Sequence, residues 1–404
     1  MDRREYLKVA AGGGAVSVAG YGLYTSMFRD RERDENEDES GTQPSDGQTG
    51  QEGADGDGSE NGTVEEDFEA EPRDGWKILG VVPPSRELTV LDPFEEWLGK
   101  QHAVVGLFLN MGHPEAEIER LVRGVLGSVW DRGHIPQLYW QPFLPNREET
   151  SNEINAEIAD GEWDDEIHAW ANSLADWAHV DGGPDRRVYL NLAPEFNGDW
   201  SPWSPALGND DEDDFVEMWR HIHDIHTDAG LGSEHVQWIW TLDNTTRDVD
   251  REACYPGDEY VDWSGIHAYN WANWGSWNDP VGVYGSTLNF TRTINDKPVA
   301  ITEFGSSSEQ DDGEHDPERK NEWLEEAYEF LREEDVRMSL YFNLSKETDW
   351  AVFDSEYGTE TVEIDGQSYN AYPAYREAVS DDGILGTYPE HPRILTDEEF
   401  AGEF

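Results

Sequence analysis

Two glutamates close apolar runs in this chain. Glu195 stands in Val-Tyr-Leu-Asn-Leu-Ala-Pro-Glu-Phe-Asn-Gly-Asp-Trp, residues 188–200, and Glu303 in Val-Ala-Ile-Thr-Glu-Phe-Gly, residues 299–305. Runs of Val, Ile, Leu and Tyr with few polar residues read as strands covered on both faces, as in a parallel sheet. A carboxylate at the end of such a strand cannot join the apolar core, because an unpaired buried charge is too costly. In a (β/α)8 barrel, the C-terminal strand ends are where active sites are built. Two carboxyl groups from different strands would supply what hydrolysis of a glycosidic bond needs. One gives and takes a proton; the other attacks the anomeric carbon or activates water. Either glutamate alone reads more readily as a salt-bridge partner or a helix-capping acceptor, and it is the pairing that favours catalysis; sequence spacing says nothing of the carboxyl separation.

The elements that must position them alternate. Strands are expected at Ile78–Val82, Ala103–Leu109, Ile135–Trp140, Val188–Leu192, Val236–Thr241, Trp263–His267, Val299–Thr302 and Met338–Phe342. Amphipathic segments lie between them at Glu115–Trp130, Glu166–Ala178, Asp214–Ala229 and Glu318–Glu333, separated by turns such as Asp131-Arg132-Gly133. Eight β/α units predict an α/β fold of the (β/α)8 TIM-barrel type, with Glu195 ending strand four and Glu303 strand seven. A doubly wound open sheet is the competing architecture, but no glycine-rich dinucleotide fingerprint follows the first strand.

Longer motifs carry a family resemblance. Pro-Glu-Phe-Asn-Gly-Asp-Trp-Ser-Pro-Trp, residues 194–203, resembles the acid/base segment of glycoside hydrolase family 26, whose usual form is His-Glu-Met-Asn-Gly-x-Trp-x-x-Trp. Residues 255–266 with Tyr269-Asn270-Trp271 are similar to that family's sixth strand and its approach. Ile-Thr-Glu-Phe-Gly, residues 301–305, is similar to its nucleophile strand, and Phe342-Asn343 with Lys346–Trp350 to its last. The resemblance covers roughly residues 76–378. It implies a retaining double displacement on a β-linked polysaccharide, with Glu303 as nucleophile, Glu195 as acid/base and Tyr269 hydrogen-bonded to the nucleophile. Trp140, Trp200, Trp203 and Trp271 are the candidate sugar platforms, with core packing the competing reading for each, and Asn197 and Gln141 complete the candidate substrate contacts. Two positions depart from the family's pattern. Pro194 stands where His usually precedes the acid/base, and Gln141 where His usually follows the strand-three Trp. These changes open the substrate choice among mannan or glucomannan, mixed-linkage glucan and β-1,3-xylan. A non-catalytic carbohydrate-binding barrel at the cell surface is the alternative.

Other features bound the reading. His221, His223 and His226 share one predicted helix without an evident third ligand, and Asp210–Asp214 reads as a solvated helix cap rather than a calcium loop. The single cysteine, Cys254, excludes an intramolecular disulfide. No metal or cofactor is expected. Residues 1–28 carry Arg3-Arg4 before a weakly apolar stretch and look like a twin-arginine signal or an N-terminal anchor. Residues 29–75 read as a disordered acidic linker, and the hydrolase domain is expected over 76–404. Membrane contact is expected only through an uncleaved N-terminal segment.

Asp and Glu number 89 against 28 Lys and Arg, a formal net charge of −61. That balance excludes nucleic acid as a partner. With acids spread through the folded region and few lysines, the surface resembles those of proteins from extreme halophiles. Mutual repulsion among the carboxylates should destabilise the fold when screening is removed. The thermal midpoint is therefore expected to rise steeply as KCl goes from millimolar to molar, and a flat dependence would contradict this reading.

Overall fold

Eight parallel strands lie side by side in chain order, and the last pairs with the first. The computed structural model describes residues 73–144, 149–180, 185–207, 210–245, 247–387 and 394–404; the segment 1–28 and nearly all of the linker 29–75 lie outside these. The strands are β1 Lys77–Val82, β2 Val104–Asn110, β3 Ile135–Gln141, β4 Val188–Leu192, β5 Val236–Asp243, β6 Trp263–Asn270, β7 Val299–Ser306 and β8 Val336–Phe342. Pairing of β1 with β8, from Ile78↔Met338 to Val82↔Phe342, closes the sheet into a barrel. The expected (β/α)8 fold is the one observed, and the open sheet is excluded by this closure. Several strands run further at their C-terminal ends than the sequence suggests, because polar residues such as Asp243, Asn270 and Glu303 continue the ladder at the barrel mouth.

Alternation along each strand divides the apolar residues into two layers. Ile78, Val82, Phe108, Tyr139, Ile239, Met338 and Leu340 fill the barrel interior. Val81, Leu107, Leu138, Leu190, Ile266 and Ile301 face outward against the helices. Those helices are α1 Leu91–Leu98, α2 Glu115–Asp131 with a π-helical middle at Leu121–Leu126, α3 Ile154–Ala159, α4 Asp164–Ala178, α5 Glu212–Asp228, α6 Pro280–Ile294 and α7 Pro317–Glu333. Asp211 caps α5 through a reciprocal box with Asp214, as expected, whereas Asp210 is not solvated but buried, accepting from the Asn155 N–H at 2.8 Å.

Three features lie outside the sequence reading. A hairpin, β9 Glu360–Ile364 and β10 Gln367–Ala371, follows β8 and leads to α8 Pro373–Val379. A short strand, β11 Ile384–Leu385, adds to the outside of β1. Finally α9, Asp397–Ala401, plugs the N-terminal end of the barrel: Tyr189 donates to the Phe400 carbonyl, Arg187 to those of Leu395 and Thr396. Arg73, placed by the sequence reading in the linker, is held by Glu399 of this plug at 2.9 Å.

The three helix histidines separate. His221 bonds Asp164 at 2.6 Å, and His223 packs against Trp238 and Tyr260. His226 is buried between Trp140 and Trp238, with Nδ1 2.8 Å from the Ile222 carbonyl. Burial lowers its pKa from the ordinary 6.5 to about 4. A histidine held neutral in the fold but free to ionise when unfolded contributes stability above pH 6.5, which is lost as pH falls toward 4. The loss amounts to about 3 kcal/mol. Urea unfolding at pH 7 and pH 4 should show His226→Phe losing less stability than wild type over that interval by about this amount.

Candidate active site

Both glutamates depend on local departures from regular strand geometry. After β4 the chain enters the left-handed region at Ala193, φ 44°, and again at Glu195, φ 58°, with Pro194 between them. Such conformations cost non-glycine residues about 1 kcal/mol or more and persist only where the surroundings impose them. Here the Ala193 N–H donates to the Trp140 carbonyl, that of Glu195 to Thr241, and Trp203 Nε1 to the Pro194 carbonyl. Pro194, which has no N–H of its own, fits a turn that asks only for its carbonyl. On the other side of the mouth, the β6–β7 register slips so that Ile266 pairs with Ile301 but His267 with Glu303. The bulge turns Glu303 toward the interior beside Thr302, whereas strict alternation would have pointed it at the helices.

His267, which sequence reading did not single out, stands between the two carboxylates. Its Nδ1 is 2.9 Å from Glu195 Oε1 and its Nε2 3.8 Å from Glu303 Oε1. Trp200 Nε1 donates to the other oxygen of Glu195 at 2.7 Å, and the Tyr269 hydroxyl to Glu303 Oε2 at 2.5 Å. Ligating atoms of Glu195, His267 and Glu303 all lie within 4.8 Å of one another. Burial pushes the Glu303 carboxyl up; His267 pulls it back and Glu195 repels it, leaving it raised. Burial would push His267 down, but the facing Glu303 and the hydrogen-bonded Glu195 outweigh it, and its pKa rises. Burial and the Glu303 charge hold Tyr269 well above the ordinary phenol, so it donates throughout the neutral range. A polar residue two before Tyr269, on the same face of an apolar strand, was the available signal for His267.

The other candidates divide. Trp140 faces outward, edge-on to Trp170 and His226, and Trp203 is buried against Phe143; both belong to the strand–helix core. Neither is a sugar platform, because no face is open. Asn197 is also buried: its amide donates to the Asp243 and Thr245 carbonyls and accepts from the Asp243 N–H, tying the Glu195 turn to the end of β5. Its role here is positioning rather than substrate contact. Trp200 is a donor to Glu195 and only 5% exposed. Trp271 is closed in by Trp274, Trp350 and its bond to Glu309, whereas Trp274 beside it is half-exposed. A cavity of about 110 Å³ opens next to Tyr269, walled by Asp243, Asn244, Trp271 and Trp274. Gln141 shares the inward face of β3 with Tyr139; its amide is buried with neither atom hydrogen-bonded.

A parallel eight-stranded barrel with two strand-end glutamates at its C-terminal mouth defines a glycosidase-type barrel. Comparison with known proteins agrees. The model of glycosyl hydrolase family 26 matches residues 115–303, a span that includes both glutamates. Endoglucanase H of Acetivibrio thermocellus is 27% identical over 315 residues, covering 76% of this chain and 30% of that protein. Among solved structures, Bacillus subtilis mannanase man26 aligns with a TM-score of 0.52 at 18% identity, over 77% of this chain and 87% of the other. The catalytic domain of the Bacillus sp. JAMB-750 endo-beta-1,4-mannanase aligns at 0.53 with 17% identity, over 76% and 82%. These matches support assignment of the chain to glycosyl hydrolase family 26, with the family model covering residues 115–303.

Replacing His267 by Gln removes the cation that opposes burial of Glu303. The carboxyl should then hold its proton to higher pH, so the acidic limb of the kcat/KM profile is expected to move up by about one unit or more. An unmoved limb would show that His267 only fills space.

Proposed function

We propose that this chain is a retaining endo-β-glycanase. The observation that carries the reading is the approach of the Glu195 and Glu303 oxygens to within 4.8 Å at the barrel mouth. Retaining glycosidases hold their carboxyls about 5–5.5 Å apart, and inverting ones about 6.5–9.5 Å, to admit a water. Glu303 attacks the anomeric carbon while Glu195 gives its proton to the departing glycosidic oxygen. Glu195 then takes a proton from the water that releases the sugar from Glu303.

The placement of His267 suits the protonation state this requires. Two arrangements of the same number of protons are compatible with its contacts. In one, Glu195 is ionised and His267 cationic. In the other, Glu195 carries the proton, His267 Nδ1 accepts from it, and Nε2–H faces ionised Glu303. Only a short transfer along the 2.9 Å contact separates them. His267 thus stores the proton that Glu195 delivers, while leaving the nucleophile charged.

The substrate we infer is a β-linked polysaccharide with a glucan backbone, mixed-linkage glucan before mannan or β-1,3-xylan. Gln141 and Pro194 replace the histidines of the mannan-cleaving pattern, and the curated relative at 27% identity is named an endoglucanase. The chain spans under a third of that relative, so its name bears on this chain only as support for the proposal. The acidic composition and the Arg3-Arg4 segment extend it to an enzyme working outside the cell in concentrated salt. Among the described residues, no helix is long and apolar enough to cross a membrane.

Reducing-sugar release at molar KCl should be measured on mixed-linkage glucan, glucomannan, mannan, β-1,3-xylan and cellulose. Wild type is expected to cleave a β-glucan. Glu303→Gln should lose about 10³-fold or more of the turnover, and Glu195→Ala should regain activity with azide on a substrate with a good leaving group. A folded wild-type protein that binds a polymer and cleaves none would instead indicate the carbohydrate-binding barrel.

A further inference from the structure

A second cluster of ligating side chains lies at the opposite, N-terminal end of the barrel. His179 follows the last residue of α4, Asp185 precedes β4 and His235 immediately precedes β5. Asp185 Oδ2 is 3.1 Å from His235 Nε2 and 4.0 Å from His179 Nδ1, and ligating atoms of all three lie within 4.8 Å of one another. The two rings meet edge to face, with centroids 4.5 Å apart. Their backbones are fixed: His179 N–H donates to the Ala175 carbonyl, Arg186 N–H to that of Ala178, and Val188 N–H to that of His235.

The remaining ring nitrogens reveal the purpose of the arrangement. His179 Nε2 is 3.2 Å from the Gly230 carbonyl, which accepts only from an N–H. His235 Nδ1 is buried without a hydrogen bond, and the Glu234 carboxylate stands 3.5 Å from it. Placing the protons on these outer nitrogens leaves the His179 Nδ1 and His235 Nε2 lone pairs both facing the Asp185 carboxylate. Two lone pairs and an anion repel one another unless a cation lies between them. We propose that His179, Asp185 and His235 bind a divalent first-row transition ion such as Zn²⁺, with the Gly230 carbonyl and Glu234 as the outer partners that orient the imidazoles.

The donor set favours this class of ion over Mg²⁺ or Ca²⁺, which take oxygen ligands. Zinc lies about 2.0–2.2 Å from nitrogen and carboxylate ligands, which in a tetrahedron puts neighbouring ligands a little over 3 Å apart. Asp185 and His235 already have that separation, and the half-exposed His179 closes the rest by turning its ring. The ion would join the end of α4 to the starts of β4 and β5, a staple far from the carboxylates of the mouth.

The test uses the metal-stripped full chain in molar KCl, with Mg²⁺ in excess to occupy surface carboxylates, titrated with Co²⁺. A visible d–d absorption band saturating at one ion per chain is expected. Zn²⁺ should displace it, and the bound ion should raise the thermal midpoint. His179→Asn and Asp185→Asn, both at partly exposed positions, should abolish the band or weaken Co²⁺ binding at least about tenfold, with circular dichroism unchanged. His235→Asn repeats the test at the buried ligand. No band in the folded wild type, or a band that persists in His179→Asn, would overturn the proposal and leave His235 and Asp185 as a hydrogen-bonded pair.

Discussion

The imidazole of His267 balances two carboxylates in the mouth of a closed barrel, and the geometry around it is arranged for that contact. Glu195 and Glu303 are both nearly buried, at 7% and 3% exposure, where two bare negative charges so close together would not persist. The imidazole between them, with Trp200 and Tyr269 donating to the far oxygens, allows the pair to remain at least partly ionised. Two backbone distortions serve the same end. The left-handed turn at Ala193 and Glu195 bends one carboxylate in from β4, and the β7 bulge turns the other inward.

Surrounding residues hold these distortions in place. Asn197 ties the Glu195 turn to β5, and Trp203 grips the Pro194 carbonyl. Behind Glu303, the buried Lys320 of α7 donates to the carbonyls of Asp349, Trp350 and Ala351 and pairs with the Asp349 carboxylate at 3.4 Å. Asp349 also receives Ser307, Ser308 and Tyr372, so the segment after β8 is fastened to the end of β7. Burial lowers the Lys320 ammonium to about 8, yet the carbonyls and Asp349 satisfy it. Removing one member of such a buried pair typically costs about 3–5 kcal/mol, because the other charge is left unpaired.

The tryptophans show how little a residue type says about its task. Trp140 and Trp203 were candidates for sugar stacking and are core residues; Trp200 is a hydrogen-bond donor to the acid/base candidate; Trp274, not singled out, presents the half-exposed face. An indole at a strand end looks the same in sequence whether it points in or out. One residue of offset reverses its side of the sheet. His226 and His267 make the same point for histidine. Burial without a counter-charge depresses the first, while facing carboxylates raise the second.

The eight strands, their order of alternation with helices and the two strand-end glutamates were legible in the sequence. Hydrophobic periodicity and the cost of burying charge are local properties that every window of the chain displays. The motif around Pro194–Trp203 also placed the family, since a specific run of residue types survives without reference to coordinates. The distance between the carboxylates, the imidazole joining them, the plug at the barrel floor and the cluster at Asp185 were decided by the tertiary structure alone. Each depends on a register slip, a left-handed residue or the meeting of segments some 50 to 200 positions apart, such as Asp185 with His235 and Tyr189 with Phe400. Those meetings follow from strand register and from how the C-terminal plug packs on the barrel floor, which no local pattern encodes.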